Sequence, residues 1–214
     1  DQSVSMRRIT TFNGEDMTLS EAVARIVNAQ INELVERCVK INETRHYYDI
    51  AMIGYGTEAY SAWNGNLEGR DFVTPEEIRA NPYQKKMVKE EKRTRKGIVF
   101  KEVENKQWMV ARHDGSWTRM DKAFKRAEGL LENWMKEHHD KDCYPPTIIN
   151  ITDGEYNGTS YDEMQQLANQ LKSMFTNDGN VLLFNIHVVP EHAESVVFPA
   201  TADELNGNGY GKKL

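Results

Sequence analysis

Residues 181–189 read Val-Leu-Leu-Phe-Asn-Ile-His-Val-Val, a nearly unbroken apolar run of strand length. A strand that is apolar on both sides must be covered on both faces, so this run constrains the fold more than any other segment. Two shorter runs resemble it: residues 49–55 (DIAMIGY), ended by Gly56, and residues 147–151 (TIINI), which run into Thr152-Asp153-Gly154. Amphipathic segments lie between these runs. In residues 18–40, Thr18 and Glu21 have capping-box spacing, and Leu19, Val23, Ile26, Val27, Ile31, Leu34, Val35 and Cys38 recur at helical spacing. Residues 121–136 set Ala123, Phe124, Ala127, Leu130, Leu131 and Trp134 on one side, and Pro145-Pro146 prevents any continuation. Ser160 and Glu163 repeat the capping-box spacing ahead of Met164, Leu167, Ala168, Leu171, Met174 and Phe175. This alternation predicts an α/β fold, with an open, mostly parallel central sheet flanked by helices on both faces.

Residues 65–112 break the pattern. They are polar, contain Pro75 and Pro82, and carry a charge run over residues 85–96. We read them as a β-containing insertion within a single domain spanning residues 1–214. Thr74-Pro75-Glu76-Glu77 predicts a short helix with Pro at its first position. Val99, Val103, Trp108 and Val110 flank Glu104-Asn105-Lys106, which reads as a hairpin turn. Lys plus Arg number 27 against 33 Asp plus Glu, a net charge of −6. That balance argues against general nucleic-acid binding, which needs a basic field to displace counterions. No apolar run approaches the about 20 residues of a membrane-spanning helix. The polar first residues do not read as a signal peptide. Cys38 and Cys143 form no disulfide framework and lean toward an intracellular compartment.

In a parallel sheet, ligand groups collect just beyond the carboxyl ends of strands. Three polar clusters occupy such places or precede helices: Asp1-Gln2-Ser3-Val4-Ser5, then Thr118 after the Asp114-Gly115-Ser116 turn, then Asp153. Asp1, Ser3, Ser5, Thr118 and Asp153 offer two carboxylates and three hydroxyls, all oxygen donors of the kind hard divalent cations take. Two anionic groups give enough charge to hold a cation and still leave a coordination position open.

These residues resemble a von Willebrand factor A domain and its metal-ion-dependent adhesion site. That pattern is Asp-x-Ser-x-Ser, a Thr that opens a helix, and an Asp in a hydrophobic-strand-Thr-Asp-Gly segment. The resemblance implies coordination by Ser3, Ser5 and Thr118, with Asp1 and Asp153 acting directly or through water. It implies Mg²⁺, with Mn²⁺ or Ca²⁺ as alternatives, bridging to an Asp or Glu of a protein partner. The sequence departs from the family in four respects. No apolar strand precedes Asp1, and the last strand and helix are not visible around Gly207, Gly209 and Gly211, so we expect a domain truncated at both ends. The Gly-x-Thr loop is one residue longer, as Gly115-Ser116-Trp117-Thr118. The insertion at residues 65–112 has no family counterpart.

Plainer readings stand beside these. Asp1, Ser3 and Ser5 could make local hydrogen bonds ahead of a helix, Asp153 could end a strand, and Thr118 could cap the second helix. His138, His139, Asp140, Asp142 and Cys143 match no zinc spacing and read as a solvated helix end. Gly54-Tyr55-Gly56 lacks the third glycine of a dinucleotide loop. His46, His113, His187 and His192 have no Ser or Cys partner at readable spacing. Trp63, Trp108 and Trp117 read as core or loop anchors, and an exposed one beside the site becomes a ligand-contact candidate. The rival function is a Mg²⁺-dependent phosphoryl-transfer or hydrolytic enzyme on the same carboxylates. It lacks a second Asp at Ser3 for the aspartyl-phosphate pattern.

Overall fold

The computed structural model describes residues 1–41, 43–95, 97–189, 197–199 and 201–205. After a 3-10 turn at Val4–Arg7 come β1 (Ile9–Phe12), β2 (Glu15–Thr18) and the long helix α1 (Leu19–Cys38). Short strands follow: β3 (Ile50–Ala51), β4 (Ile53–Tyr55), β5 (Ala59–Ser61) and β6 (Phe72–Val73), with α2 (Pro75–Ala80) behind them. The long strands β7 (Gln84–Thr94) and β8 (Gly97–Gln107) precede α3 (Met120–Glu137), β9 (Thr147–Thr152) and α4 (Tyr161–Ser173). Then come β10 (Phe175–Thr176), β11 (Gly179–Asn180), β12 (Leu182–His187) and a 3-10 turn at Ala202–Leu205. Among the described residues no helix is long and apolar enough to cross a membrane.

The chain forms two compact units, neither continuous in sequence. One comprises Asp1–Met6, Ile53–Ala59 and the described part of His113–Leu214; the other comprises Arg7–Met52 and Tyr60–Arg112.

The second unit is built on α1. Its start is fixed by a capping box in which Thr18 Oγ1 accepts from Glu21 N at 3.2 Å and the Glu21 carboxylate accepts from Thr18 N at 2.8 Å. Thr74 and Glu77 do the same for α2, with Pro75 in the first turn. Ile31, Val35, Leu67 and Ile78 pack around Trp63 and Trp108, both fully buried. Asn28 is buried among them and bonds all round. Its amide donates to the Ala24 and Met109 carbonyls at 2.8 Å each, and its oxygen accepts from Trp108 N at 2.8 Å and Met109 N at 3.2 Å. It thus ties α1 to the strand-like segment after β8, where backbone groups have no ladder partner. β1 pairs with β2, β3 with β6 and β7 with β8, all antiparallel.

In the first unit, β9 and β12 pair in parallel, Ile149 opposite Phe184 and Asn150 opposite Asn185. Helices α3 and α4 pack on each other. They bury Met120, Phe124 and Leu131 from the former and Met164 and Leu171 from the latter. Ser160 and Glu163 cap α4.

The expected open, mostly parallel sheet between two helical layers is not formed. Among the described residues no sheet exceeds two strands, and most pairs are antiparallel. The apolar runs are interrupted before they can build a ladder. Residues 49–55 divide at Met52, and β3 pairs with β6 instead. The Tyr55 and Ile151 carbonyls accept from Gln2 N at 2.7 Å and Asp1 N at 3.0 Å, so the backbone of residues 1–2 takes up acceptors on β4 and β9. The expected turn at Glu104-Asn105-Lys106 is also corrected. Those residues lie inside β8, with Asn105 opposite Lys86, and the chain reverses between Thr94 and Gly97. Gly97 has a φ of +120°, a conformation its missing Cβ permits. The glycines at 207, 209 and 211 and His192 lie outside the described residues.

Candidate functional site

All five oxygen-bearing residues belong to the first unit. Asp1, Ser3, Thr118 and Asp153 are buried, and Ser5 is partly so. The Asp1 carboxylate is held from two sides: Oδ1 accepts from Ser3 N at 2.9 Å and Oδ2 from the Thr152 hydroxyl at 2.8 Å. The second bond spans 151 positions and brings Asp1 beside the residue that precedes Asp153. Ser3 and Ser5 sit at the start of the 3-10 turn with their hydroxyl oxygens 2.9 Å apart. Met6 N donates to Ser3 O at 3.1 Å and fixes that turn.

Asp153 emerges from the carboxyl end of β9. Its Oδ1 accepts from Glu155 N at 3.2 Å, and its carbonyl accepts from His187 Nε2 at 2.7 Å. Thr152 Oγ1 also accepts from Gly154 N at 3.1 Å, which shapes the turn after the strand. Burial, reinforced by the negative charge of Asp153, pushes the Tyr55 hydroxyl well above the usual tyrosine range. Tyr55 therefore stays a neutral donor, bonding Asn150 Oδ1 at 2.8 Å.

Thr118 lies in a loop pinned along its length. Asp114 N donates to Gln2 O at 2.9 Å, Arg119 N to Gly56 O at 2.8 Å, and Thr118 N to Asn157 Oδ1 at 2.9 Å. Asn157 N returns a bond to Thr118 O at 3.2 Å. The close approach of neighbouring atoms, backbone at one and a side chain at the other, favours glycine at two points. A Cβ on Gly56 would lie 2.0 Å from Asp114 O, and one on Gly115, at φ +73°, would lie 1.9 Å from Thr57 Oγ1. Thr118 is not the helix cap. Arg119 stands at that position without a side-chain cap bond, and α3 begins at Met120.

The structure therefore joins Asp1, Ser3 and Ser5 in one hydrogen-bonded cluster and attaches it to the end of β9 through Thr152, next to Asp153. Thr118 is tied to the same unit through Gly56 and Asn157. Sequence reasoning missed these supporting residues. Thr152 stood in the quoted motif but was assigned no role. Gln2, Gly56 and Asn157 act through partners too distant in sequence to leave a local signal.

The donor set fits a hard divalent cation. Oxygens arranged octahedrally at about 2.0–2.1 Å from Mg²⁺ are about 2.9 Å apart along an edge, the separation of the Ser3 and Ser5 hydroxyls. That distance also suits a hydroxyl–hydroxyl bond, so the discriminating feature is the second one, the two buried carboxylates in the same unit. A cation bound there would offset the burial of their charge.

Other candidates do different work. His138 Nδ1 donates to Trp134 O at 2.8 Å, and the two rings stack 4.1 Å apart. His139 Nδ1 donates to Lys136 O at 2.9 Å. Both therefore close the carboxyl end of α3. Among the described residues, no three His, Cys, Asp or Glu side chains gather as a metal-ligand group. Trp63 and Trp108 are core residues, whereas Trp117 is 52% exposed.

No protein-family model matches this chain, and neither a curated protein nor a solved structure matches it.

Proposed function

We propose that Asp1, Ser3, Ser5, Thr118 and Asp153 form a divalent-cation site of the adhesion type, resembling that of von Willebrand factor A domains, through which the chain captures an Asp or Glu side chain of a protein partner. The likeness rests on the loop motifs alone. The observation that carries it is the Asp1 carboxylate, held by Ser3 N and Thr152 Oγ1 beside the paired Ser3 and Ser5 hydroxyls. Mg²⁺ is the preferred ion, with Mn²⁺ or Ca²⁺ as alternatives, because every donor is an oxygen. The cation supplies a shared positive centre between the site and an incoming carboxylate. The residues of the chain do the rest. Thr152 and Ser3 N orient Asp1. Glu155 N and His187 hold Asp153 and its turn. Asn157 and Gly56 fix the backbone on both sides of the Thr118 hydroxyl.

The enzymatic alternative is less well supported. Phosphoryl transfer needs cationic clamps on the developing charge. The basic residues nearest Thr118 in sequence are already engaged. Arg119 grips Asp121 with two bonds, at 2.8 and 2.7 Å, and Lys122 pairs with Glu58. Burial raises the Asp121 carboxyl, but the Arg119 guanidinium outweighs it and holds the group below its usual range.

Thermal unfolding with and without MgCl₂ tests the proposal. Mg²⁺ at about a hundred times its Kd stabilises a folded protein by about 2.7 kcal/mol. In a chain of this size that corresponds to a rise of roughly 5–10 °C in Tm. The wild-type chain should show such a rise, and Asp153→Ala should show none. An equal rise in both would contradict the assignment of Asp153.

A further inference from the structure

The ribbon of β7 and β8 takes no part in the cation site, and its outer half is built unlike its base. At the base, Val88, Asn105 and Gln107 are buried. Every described side chain from Lys89 to Glu102, apart from none, is exposed to solvent. Charge divides along the same axis. Residues 92–101 (KRTRKGIVFK) carry five Lys or Arg and no Asp or Glu, in a chain whose net charge is −6. Glu90, Glu91 and Glu102 stand nearer the base. Among the described residues, Lys92, Arg95 and Lys101 make no ion pair. The same stretch holds Ile98, Val99 and Phe100, which are 56%, 41% and 48% exposed. The register sets cations and apolar groups side by side. Lys92 stands opposite Val99, and Thr94 Oγ1 closes the reversal by donating to Gly97 O at 2.8 Å. Side chains alternate along a strand, so Ile98 and Phe100 belong to one face of the ribbon and Val99 to the other.

The charge calls for an anionic occupant, and the apolar residues decide which. Ile98 and Val99 are branched aliphatics, which give a nucleobase no stacking platform and a phosphate no donor. They lie on opposite faces, so a folded acidic partner laid against one face leaves the other in water. A lipid headgroup layer is fluid and surrounds an inserted tip on both faces. Its boundary with the acyl chains takes aliphatic side chains, and its anionic headgroups attract the cations beside them. We propose that the β7–β8 tip docks on an anionic lipid surface, with Ile98, Val99 and Phe100 at the acyl boundary and Lys92, Arg95 and Lys101 among the headgroups. Among the described residues no third strand pairs with this ribbon, so its outer backbone edges keep their water. The tip therefore rests in the headgroup layer and does not cross the bilayer.

The test is sedimentation of the full chain with vesicles of phosphatidylcholine alone or with about 30% phosphatidylserine, in EDTA so that the cation site plays no part. The anionic vesicles should retain the chain at least about tenfold better than the neutral ones. Salt at about 1 M should release it. Lys92→Ser with Lys101→Ser should weaken retention roughly 20–30-fold. Ile98→Ser with Val99→Ser should weaken it about tenfold at unchanged charge. Brominated acyl chains should quench the added fluorescence of Val99→Trp. Equal retention by the two kinds of vesicle, or retention unchanged in the Ile98→Ser, Val99→Ser chain, would overturn the proposal. So would the absence of vesicle binding by the wild-type chain, and capture of an oligonucleotide or an acidic peptide instead would assign the tip to that class of partner.

Discussion

At the scale of single residues, Asn28 and Asp1 play comparable parts in the two units. Each is a buried polar group whose bonds reach far along the chain. Asn28 holds the backbone of Trp108 and Met109, 80 and 81 positions away. Its loss leaves several buried backbone groups unpaired, each costing about 1–3 kcal/mol. Asn28→Ala should therefore lower the stability of its unit by roughly 2–4 kcal/mol in urea unfolding, and a change below about 0.5 kcal/mol would show that the segment finds other partners. The apolar positions beside it, Val27 and Ile31, were readable from helical spacing. The asparagine was not, because nothing in a helical pattern announces that one polar residue faces inward to serve a distant backbone. The site follows the same rule. Asp1, Ser3, Ser5 and Asp153 stood out as oxygen donors in a spaced motif, whereas Thr152, Gln2 and Asn157 became visible only through their partners.

At the scale of elements, helices were legible where local chemistry starts them. Thr18 with Glu21, Thr74 with Glu77 and Ser160 with Glu163 each form the capping box their spacing implies. Thr18→Ala removes the hydroxyl that receives Glu21 N and should cost about 1 kcal/mol, typical of a lost cap. Thermal unfolding should register a fall of a few degrees, and no fall would mean that Ser20 takes over the bond. Helix α3 has no such signal. Its first turn is held by the Arg119–Gly56 backbone bond, so the sequence placed the helix, but the capping role it left open for Thr118 falls to Arg119, without a side-chain bond. The hairpin turn was misplaced for a related reason. A two-stranded ribbon exposed on much of both faces accepts polar residues in mid-strand, so Glu104-Asn105-Lys106 carries no turn information. Gly97, free to adopt its positive φ, does.

At the scale of the whole molecule, the expected architecture failed although most of its pieces were correctly placed. Strands were expected at residues 147–151 and 181–189, and β9 and β12 form there and pair in parallel. Sheet closure is a long-range property. It depends on which backbone groups find each other, and here Asp1 and Gln2 nitrogens take carbonyls at the ends of β9 and β4. The division into two units is also invisible in composition, because both are assembled from separate stretches of chain. The central claim concerns one unit only, that Asp1, Ser3, Ser5, Thr118 and Asp153 surround a divalent cation. The most direct test is the anomalous scattering of crystals soaked in MnCl₂. The account predicts one peak about 2.0–2.2 Å from the Ser3 and Ser5 hydroxyl oxygens, with Asp1 and Asp153 in contact directly or through a single water. Full occupancy elsewhere, with no peak between these side chains, would contradict it.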